Sequence, residues 1–167
     1  MINKIEIHGP GGMTLDAQMT IAATLVRSVF EHQKCLMPMV HAITKKGSHL
    51  LLETPQLGGT DEEKDIVAIG LRALFRENGV TQYVLMTEAW TLQLPQETDL
   101  GGDLPRPRDH ADRVEVIALQ GETKDGTISG QMVITRDAAG NPSLGELKTW
   151  KSTMSHGRLT GLLATEN

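Results

Sequence analysis

The sequence predicts an α+β fold in which an antiparallel sheet of about four to six strands carries two amphipathic helices, residues 14–33 and 60–78, on one face. Three patterns lead to this prediction. Short stretches of alternating apolar and polar residues indicate strands, two stretches with apolar residues every three or four positions indicate helices, and tight turns separate the last strands. Strands joined by tight turns pair antiparallel, and amphipathic helices need a sheet face to cover.

The chain begins with a predicted strand and a predicted helix. Residues 2–7 alternate apolar and polar, and the glycine- and proline-rich stretch 9–12 ends this strand. Thr14 is a suitable N-cap for a helix that ends near Gln33, and Asp16 suits the positive end of its dipole. The apolar stripe of this helix is Leu15, Met19, Ala22, Val26 and Val29.

A β-hairpin is predicted next. Residues 36–44 and 49–53 have the composition of two short strands around a turn that contains lysine, glycine and serine. Proline cannot donate to a strand ladder, so Pro38 predicts that the first of these is an edge strand or a bulged strand.

The second helix has clear start and stop signals. Thr60 and Glu63 have the spacing of a capping box, in which each side chain binds the other residue's backbone N–H. Asn78-Gly79 is a favoured C-terminal stop. Its predicted apolar stripe is Val67, Leu71, Leu74 and Phe75.

The second half of the chain predicts four more strands, residues 83–94, 113–123, 127–136 and 144–150. Asp125-Gly126 is a strong signal for a two-residue hairpin turn. We therefore expect a single α+β domain over residues 1–150. Residues 151–167 are expected to be a polar tail, frayed unless its three leucines dock it.

Composition argues against several classes of protein. The chain has 16 basic and 21 acidic residues, a net charge of −5 and few aromatic residues, which disfavours a basic, base-stacking nucleic-acid surface. The single Cys35 cannot form an internal disulfide or a cysteine pair for zinc. No apolar stretch approaches the roughly 20 residues that span a bilayer. We expect a cytoplasmic protein with no metal, no cofactor and no membrane partner.

Two acidic residues and an arginine are predicted to meet at one end of the sheet. A turn at 125–126 predicts these partners across the hairpin: Leu119 with Met132, Ile117 with Ile134, and Glu115 with Arg136. Glu88 is the polar member of an apolar row on the preceding strand. If the two strands are neighbours, Glu88, Glu115 and Arg136 converge on one sheet face.

This convergence has two interpretations. In the functional one, burial and a like-charged neighbour raise the pKa of one carboxyl, which then serves as a general acid or base while Arg136 binds an anionic group. In the structural one, the three residues form an ion-pair network at the end of the sheet. We take the structural interpretation as the simpler one.

A long acidic connection, residues 96–112, is the second candidate for function. Connections of about 17 residues without secondary structure are often functional or disordered. It can cover a cleft over the carboxylates, with His110 and Asp112 helping to hold a divalent cation, or it can be a mobile surface loop. Arg113 follows it, and Trp90 is the aromatic side chain best placed to contact a ligand.

Two segments, Glu88-Ala-Trp90 and Asp109-His-Ala-Asp-Arg-Val-Glu-Val116, resemble segments of uncharacterised bacterial and phage proteins. The resemblance implies a bacterial or phage origin. It implies no activity, because that family has no known function.

Two functions are consistent with these patterns. The first is a non-enzymatic binding or assembly module that pairs with itself or with another protein. It is suggested by a second apolar face on the 113–136 hairpin, formed by Val114, Val116, Ala118 and Val133. The alternative is a small hydrolase or transferase that uses Glu88 and Glu115 as acid and base with Arg136. We prefer the first.

Overall fold

The computed structural model describes residues 4–8, 12–92, 109–152 and 159–163. Within these ranges it has two α-helices, α1 (Leu15–Gln33) and α2 (Asp61–Asn78), and a short 3-10 helix at Pro55–Gly58. Its strands are β1 (Lys4–His8), β2 (Met39–Thr44), β3 (Ser48–Glu53), β4 (Val80–Leu92), β5 (Arg113–Thr123), β6 (Gly126–Arg136), β7 (Pro142–Leu144) and β8 (Lys148–Ser152). The predicted α+β class is confirmed.

The described strands form one antiparallel sheet in the order β1-β3-β2-β4-β5-β6, and β7 and β8 both pair with β6. The prediction that Pro38 makes β2 an edge strand is wrong, because β2 lies between β3 and β4 and all its residues are buried. Pro38 precedes the strand, and its carbonyl accepts the backbone N–H of Thr54 at 2.8 Å. A register shift does occur at the far end of β2, between Ile43 and Thr44.

The two helices cover opposite faces of the sheet, which corrects the prediction that both pack on one face. Val84 and Met86 of β4 belong to the core beneath α1. Tyr83 and Leu85, which point to the other face, belong to the core beneath α2. The central strands are apolar at consecutive positions, so both of their faces need a cover.

The predicted helix caps are confirmed. The backbone N–H of Ala17 donates to the Thr14 hydroxyl at 3.2 Å. At the start of α2 the backbone N–H of Glu63 donates to Thr60 at 3.3 Å, and the backbone N–H of Thr60 donates to the Glu63 carboxylate at 2.6 Å. α2 ends at Asn78 and is capped by Gly79, which has a left-handed conformation with φ of 62°.

The β5–β6 hairpin turns one residue earlier than predicted. Thr123 pairs with Gly126, so the turn consists of the two residues between them. The backbone N–H of Asp125 donates to the Thr123 hydroxyl at 3.1 Å, a local bond that favours this turn over Asp-Gly. The observed partners therefore differ by two positions from the predicted ones: Leu119 lies opposite Gly130, and Ile117 opposite Met132.

The last predicted strand, 144–150, is split into β7 and β8. At the break, the backbone N–H of Gly145 donates to the Val133 carbonyl at 2.8 Å. The Arg27 guanidinium of α1 donates to the carbonyls of Leu144 at 3.2 Å and Gly145 at 2.9 Å. These bonds hold the chain away from a straight strand and connect the break to α1.

The C-terminal segment 159–163 packs on the α2 side of the sheet. Leu162 is fully buried in the core beneath α2, with Leu159 and Leu163 packed against it. The expected docking of the three leucines is therefore observed, without a helix. Residues 153–158 and 164–167 of the predicted tail lie outside the described residues.

Neither α1 nor α2 has the length and apolar character required to cross a membrane.

Candidate functional site

The three residues predicted to converge do lie on one face of the sheet. On β4, Glu88 pairs with Ile117, and Trp90 pairs with Glu115 of β5. Glu88 and Glu115 therefore occupy diagonal positions on the face that α1 covers. Arg136 is the last residue of β6, on the same face by strand alternation.

Glu115 and Arg136 form a two-pronged ion pair. Nε of Arg136 donates to one oxygen of Glu115 at 2.9 Å, and Nη2 donates to the other at 2.6 Å. The observed register makes the two residues diagonal, not directly opposite as predicted. The hydrogen bonds and charge of Glu115, followed by the charge of Glu88, raise the pKa of Arg136 above its ordinary value.

Glu88 is exposed, and its carboxylate accepts the backbone N–H of Leu36 at 2.6 Å. This bond ties β4 to the segment between α1 and β2. Each carboxylate of the predicted group thus binds a donor from the fold, Glu88 a backbone amide and Glu115 a guanidinium. Such an arrangement stabilises a chain connection and a sheet end.

The four residues predicted to contact a ligand, His110, Asp112, Arg113 and Trp90, instead contact one another in two pairs. The Arg113 guanidinium lies over the Trp90 ring, 4.7 Å from its centre, in a cation–π contact. The backbone N–H of Asp112 donates to Nδ1 of His110 at 3.1 Å, and the Asp112 carboxylate is 3.8 Å from the same nitrogen. Most of the predicted loop 96–112 lies outside the described residues.

Within the described ranges, no three histidine, cysteine or acidic side chains are placed together to hold a metal ion. His110 and Asp112 are therefore not joined by a third such residue from the part of the chain that the structure describes.

The apolar hairpin face is more covered than the sequence suggested. Val116 is only 2% exposed, and its three companions are half-buried: Val114, Ala118 and Val133. This face is therefore not the large exposed patch that motivated the assembly hypothesis.

Sequence reasoning missed a buried polar group on the α2 side. Tyr83 and Glu122 are direct cross-strand partners on β4 and β5. The Tyr83 hydroxyl donates to the Glu122 carboxylate at 2.8 Å, and the backbone N–H of Gly161 donates to the same carboxylate oxygen at 2.8 Å. Glu122 thus anchors the C-terminal segment to the sheet. The register of β4 against β5, which places Tyr83 opposite Glu122, is the information that identifies this buried pair.

Tyr83→Phe is expected to lower the free energy of unfolding by about 1.5–3 kcal/mol, because it removes a buried hydrogen bond to a charged group. Burial, with the charge and hydrogen bond of Glu122, raises the pKa of Tyr83 above its ordinary 10.0. The folded state then retains the tyrosine proton longer than the unfolded state, so wild-type stability falls as the pH rises above 10.0.

Urea unfolding at neutral pH and above pH 10 tests both effects. The phenylalanine variant should be less stable at neutral pH and should lose less stability at alkaline pH. Equal stability of the two proteins at neutral pH would contradict the role given to this hydrogen bond.

A second missed contact joins two histidines beneath α1; the sequence predicts a hydrogen-bonded core or edge position for His41 but not its partner. Nε2 of His41 on β2 lies 3.0 Å from Nδ1 of His49 on β3, so one ring donates to the other. Gln18 of α1 is fully buried and donates to the His41 carbonyl at 2.9 Å. Burial, and then the neighbouring His49, lower the pKa of His41 to about 4, so His41 is neutral at neutral pH.

Among the described residues, the large apolar side chains with the greatest exposed fraction lie on α2. Ile66 is 66% exposed and Ile69 is 65% exposed. Gly70 and Ala73 continue the same helical line at spacings of four and seven from Ile66. We call these four residues, Ile66, Ile69, Gly70 and Ala73, the outer stripe. It lies opposite the buried positions of α2, which include Val67, Leu71 and Phe75.

No protein-family model matches the chain, and neither a curated protein nor a solved structure matches it significantly. The bacterial or phage origin implied by residues 88–90 and 109–116 therefore stays a prediction.

Proposed function

We propose that the chain is a small non-enzymatic assembly module that forms a homodimer through the outer stripe of α2. The observation that carries this proposal is the exposure of Ile66 and Ile69, each about two-thirds accessible on the face of α2 opposite its buried residues. Two isoleucines on one helix line leave an apolar surface that a partner can remove from water.

A second copy is the partner that best fits the charges of α2. The first turns of the helix are net acidic, with four carboxylates and Lys64, and the last turns are net basic, with Arg72 and Arg76 beside Glu77. A helix with opposite charges at its two ends is complementary to a reversed copy of itself. Two-fold symmetric pairing is also the commonest form of homo-oligomer.

The hydrogen bonds of the carboxylate group support a structural role for it over acid–base chemistry. Glu115 is bound at both oxygens by Arg136, and Glu88 is bound by the backbone of Leu36. The hydrolase or transferase alternative therefore has no specific observation in its favour.

Ile69→Asp is expected to weaken self-association at least tenfold, because a charge replaces an apolar contact at the interface. The measurement is sedimentation velocity over a dilution series from about 1 μM to about 1 mM, the range for small interfaces. Ile69 is exposed, so the variant should unfold at nearly the wild-type denaturant concentration when both are monomeric.

Ile21→Asp is the matched control, since Ile21 is 42% exposed on the other helix. It should associate like the wild type. A wild-type protein that is monomeric at every concentration, or an Ile21→Asp variant that is as impaired as Ile69→Asp, would contradict the proposal.

A further inference from the structure

The charged residues beside the outer stripe are arranged along one flank. At about 100° per residue, Asp65, Arg72 and Arg76 project within about 40° of one another around the helix. All three are exposed. From the N-terminus to the C-terminus of the helix, this flank therefore carries one acidic residue and then two basic residues.

We infer that the partner is a second copy of this chain whose α2 lies antiparallel, with the two-fold axis between Ile69 and Gly70; the inference rests on the proposed homodimer. In this arrangement Ile69 faces Gly70 of the partner subunit, and Ile66 faces Ala73 of the partner subunit. Each isoleucine thus meets a small residue, which lets the two helices approach closely.

Gly70 fits this arrangement because of the space around it. A Cβ atom built on Gly70 would meet nothing within 4 Å, so the position opens outward from the helix. Glycine inside a helix costs about 1 kcal/mol relative to alanine. A partner isoleucine that packs against the bare backbone offsets this cost.

The charges favour the antiparallel arrangement over the parallel one. A two-fold axis perpendicular to both helices keeps the charged flank on the same side in each copy, so Asp65 lies level with the gap between Arg72 of the partner subunit and Arg76 of the partner subunit. In a parallel pair the two-fold axis runs along the helices and places the two charged flanks on opposite sides, so Asp65 would meet neither Arg72 of the partner subunit nor Arg76 of the partner subunit. Glu62 and Glu77 meet at the exposed ends of the stripe, which keeps the dimer weak.

Disulfide cross-linking tests the direction of the helices. Ile66→Cys and Ala73→Cys are made separately in a Cys35→Ser background, which removes the exposed native cysteine. An equal mixture of the two proteins should form a mixed disulfide dimer under mild oxidation. Ile66→Cys alone should not, because the two copies of position 66 are separated by about 10 Å along the axis, beyond disulfide reach.

Charge reversal tests the flank independently. Asp65→Arg alone, and Arg72→Glu with Arg76→Glu, should each weaken the dimer about three- to tenfold. The chain that combines all three changes should recover wild-type association within about twofold, because the reversed charges again face each other.

The outcomes separate this inference from the proposed function. A wild-type dimer in which Ile66→Cys cross-links with itself, or in which the combined charge variant stays weak, overturns the antiparallel arrangement and leaves the homodimer standing. A monomeric wild type overturns both.

Discussion

Replacing Leu162 with alanine is expected to lower the free energy of unfolding by about 2–5 kcal/mol, the range for a large side chain removed from a packed core. Leu162 is fully buried in the core beneath α2 although its neighbours in sequence are mostly small or polar. It also holds the adjacent Gly161, whose backbone N–H binds the buried carboxylate of Glu122. Loosening this segment would leave that carboxylate with fewer donors.

Urea unfolding followed by circular dichroism measures this effect. Ile21→Ala is a suitable control because it deletes a similar volume from a side chain that is 42% exposed on α1. Its stability should change by less than about 0.5 kcal/mol. If Leu162→Ala were as mild as the control, the C-terminal segment would contribute nothing to the core.

The second large effect is a loss of stability in acid. His41 has a pKa of about 4 in the folded protein and 6.5 as its ordinary value. Between these values the unfolded chain binds a proton that the folded protein does not, so stability falls as the pH drops from 6.5 toward 4. The full difference corresponds to about 3 kcal/mol.

His41→Gln should flatten this part of the stability profile, measured by urea unfolding at several values between pH 4 and pH 7. His32, which is exposed on α1, provides the control, since His32→Gln removes a histidine without touching the buried pair. Profiles of wild type and His41→Gln that run parallel over this range would show that His41 is not the group that titrates.

The sequence correctly predicts features that depend on residues close together in the chain. The caps at Thr14 and Thr60 follow from short spacings, and the structure contains both. The contact of Glu115 with Arg136 was also predicted, although the turn lies one residue earlier than expected. A shift of two positions keeps the same side chains on the same face, which is why the contact survives.

Features that depend on strand order were not predictable from local patterns. The hairpin of β2 and β3 gives no indication that β2 lies next to β4 at the centre of the sheet. Without that order, a consecutive apolar run such as residues 83–86 does not show which side each helix covers. The pair Tyr83–Glu122 is hidden because the long connection between β4 and β5 leaves their register open, and the pair His41–His49 because composition does not set the exact register of the predicted hairpin.

The candidate surface was missed for a different reason. Helix periodicity identifies one apolar stripe on α2, and it does so correctly for Val67, Leu71 and Phe75. The same periodicity places Ile66 and Ile69 outside that stripe, but it does not show whether a neighbouring element covers them. The structure shows that both are exposed.

The docked C-terminal segment also sets the order in which the protein can be completed on the ribosome. The core beneath α1 draws its described residues from positions up to 147, whereas the core beneath α2 includes Leu162 and the Gly161–Glu122 bond. As the chain emerges from its N-terminus, the α1 layer can therefore close first. The α2 layer stays open, with Tyr83 and Glu122 lacking their last contacts, until residue 162 has left the exit tunnel. Through that interval a nascent chain exposes the part of the core that Leu162 later covers, and exposed apolar surface of this kind promotes aggregation.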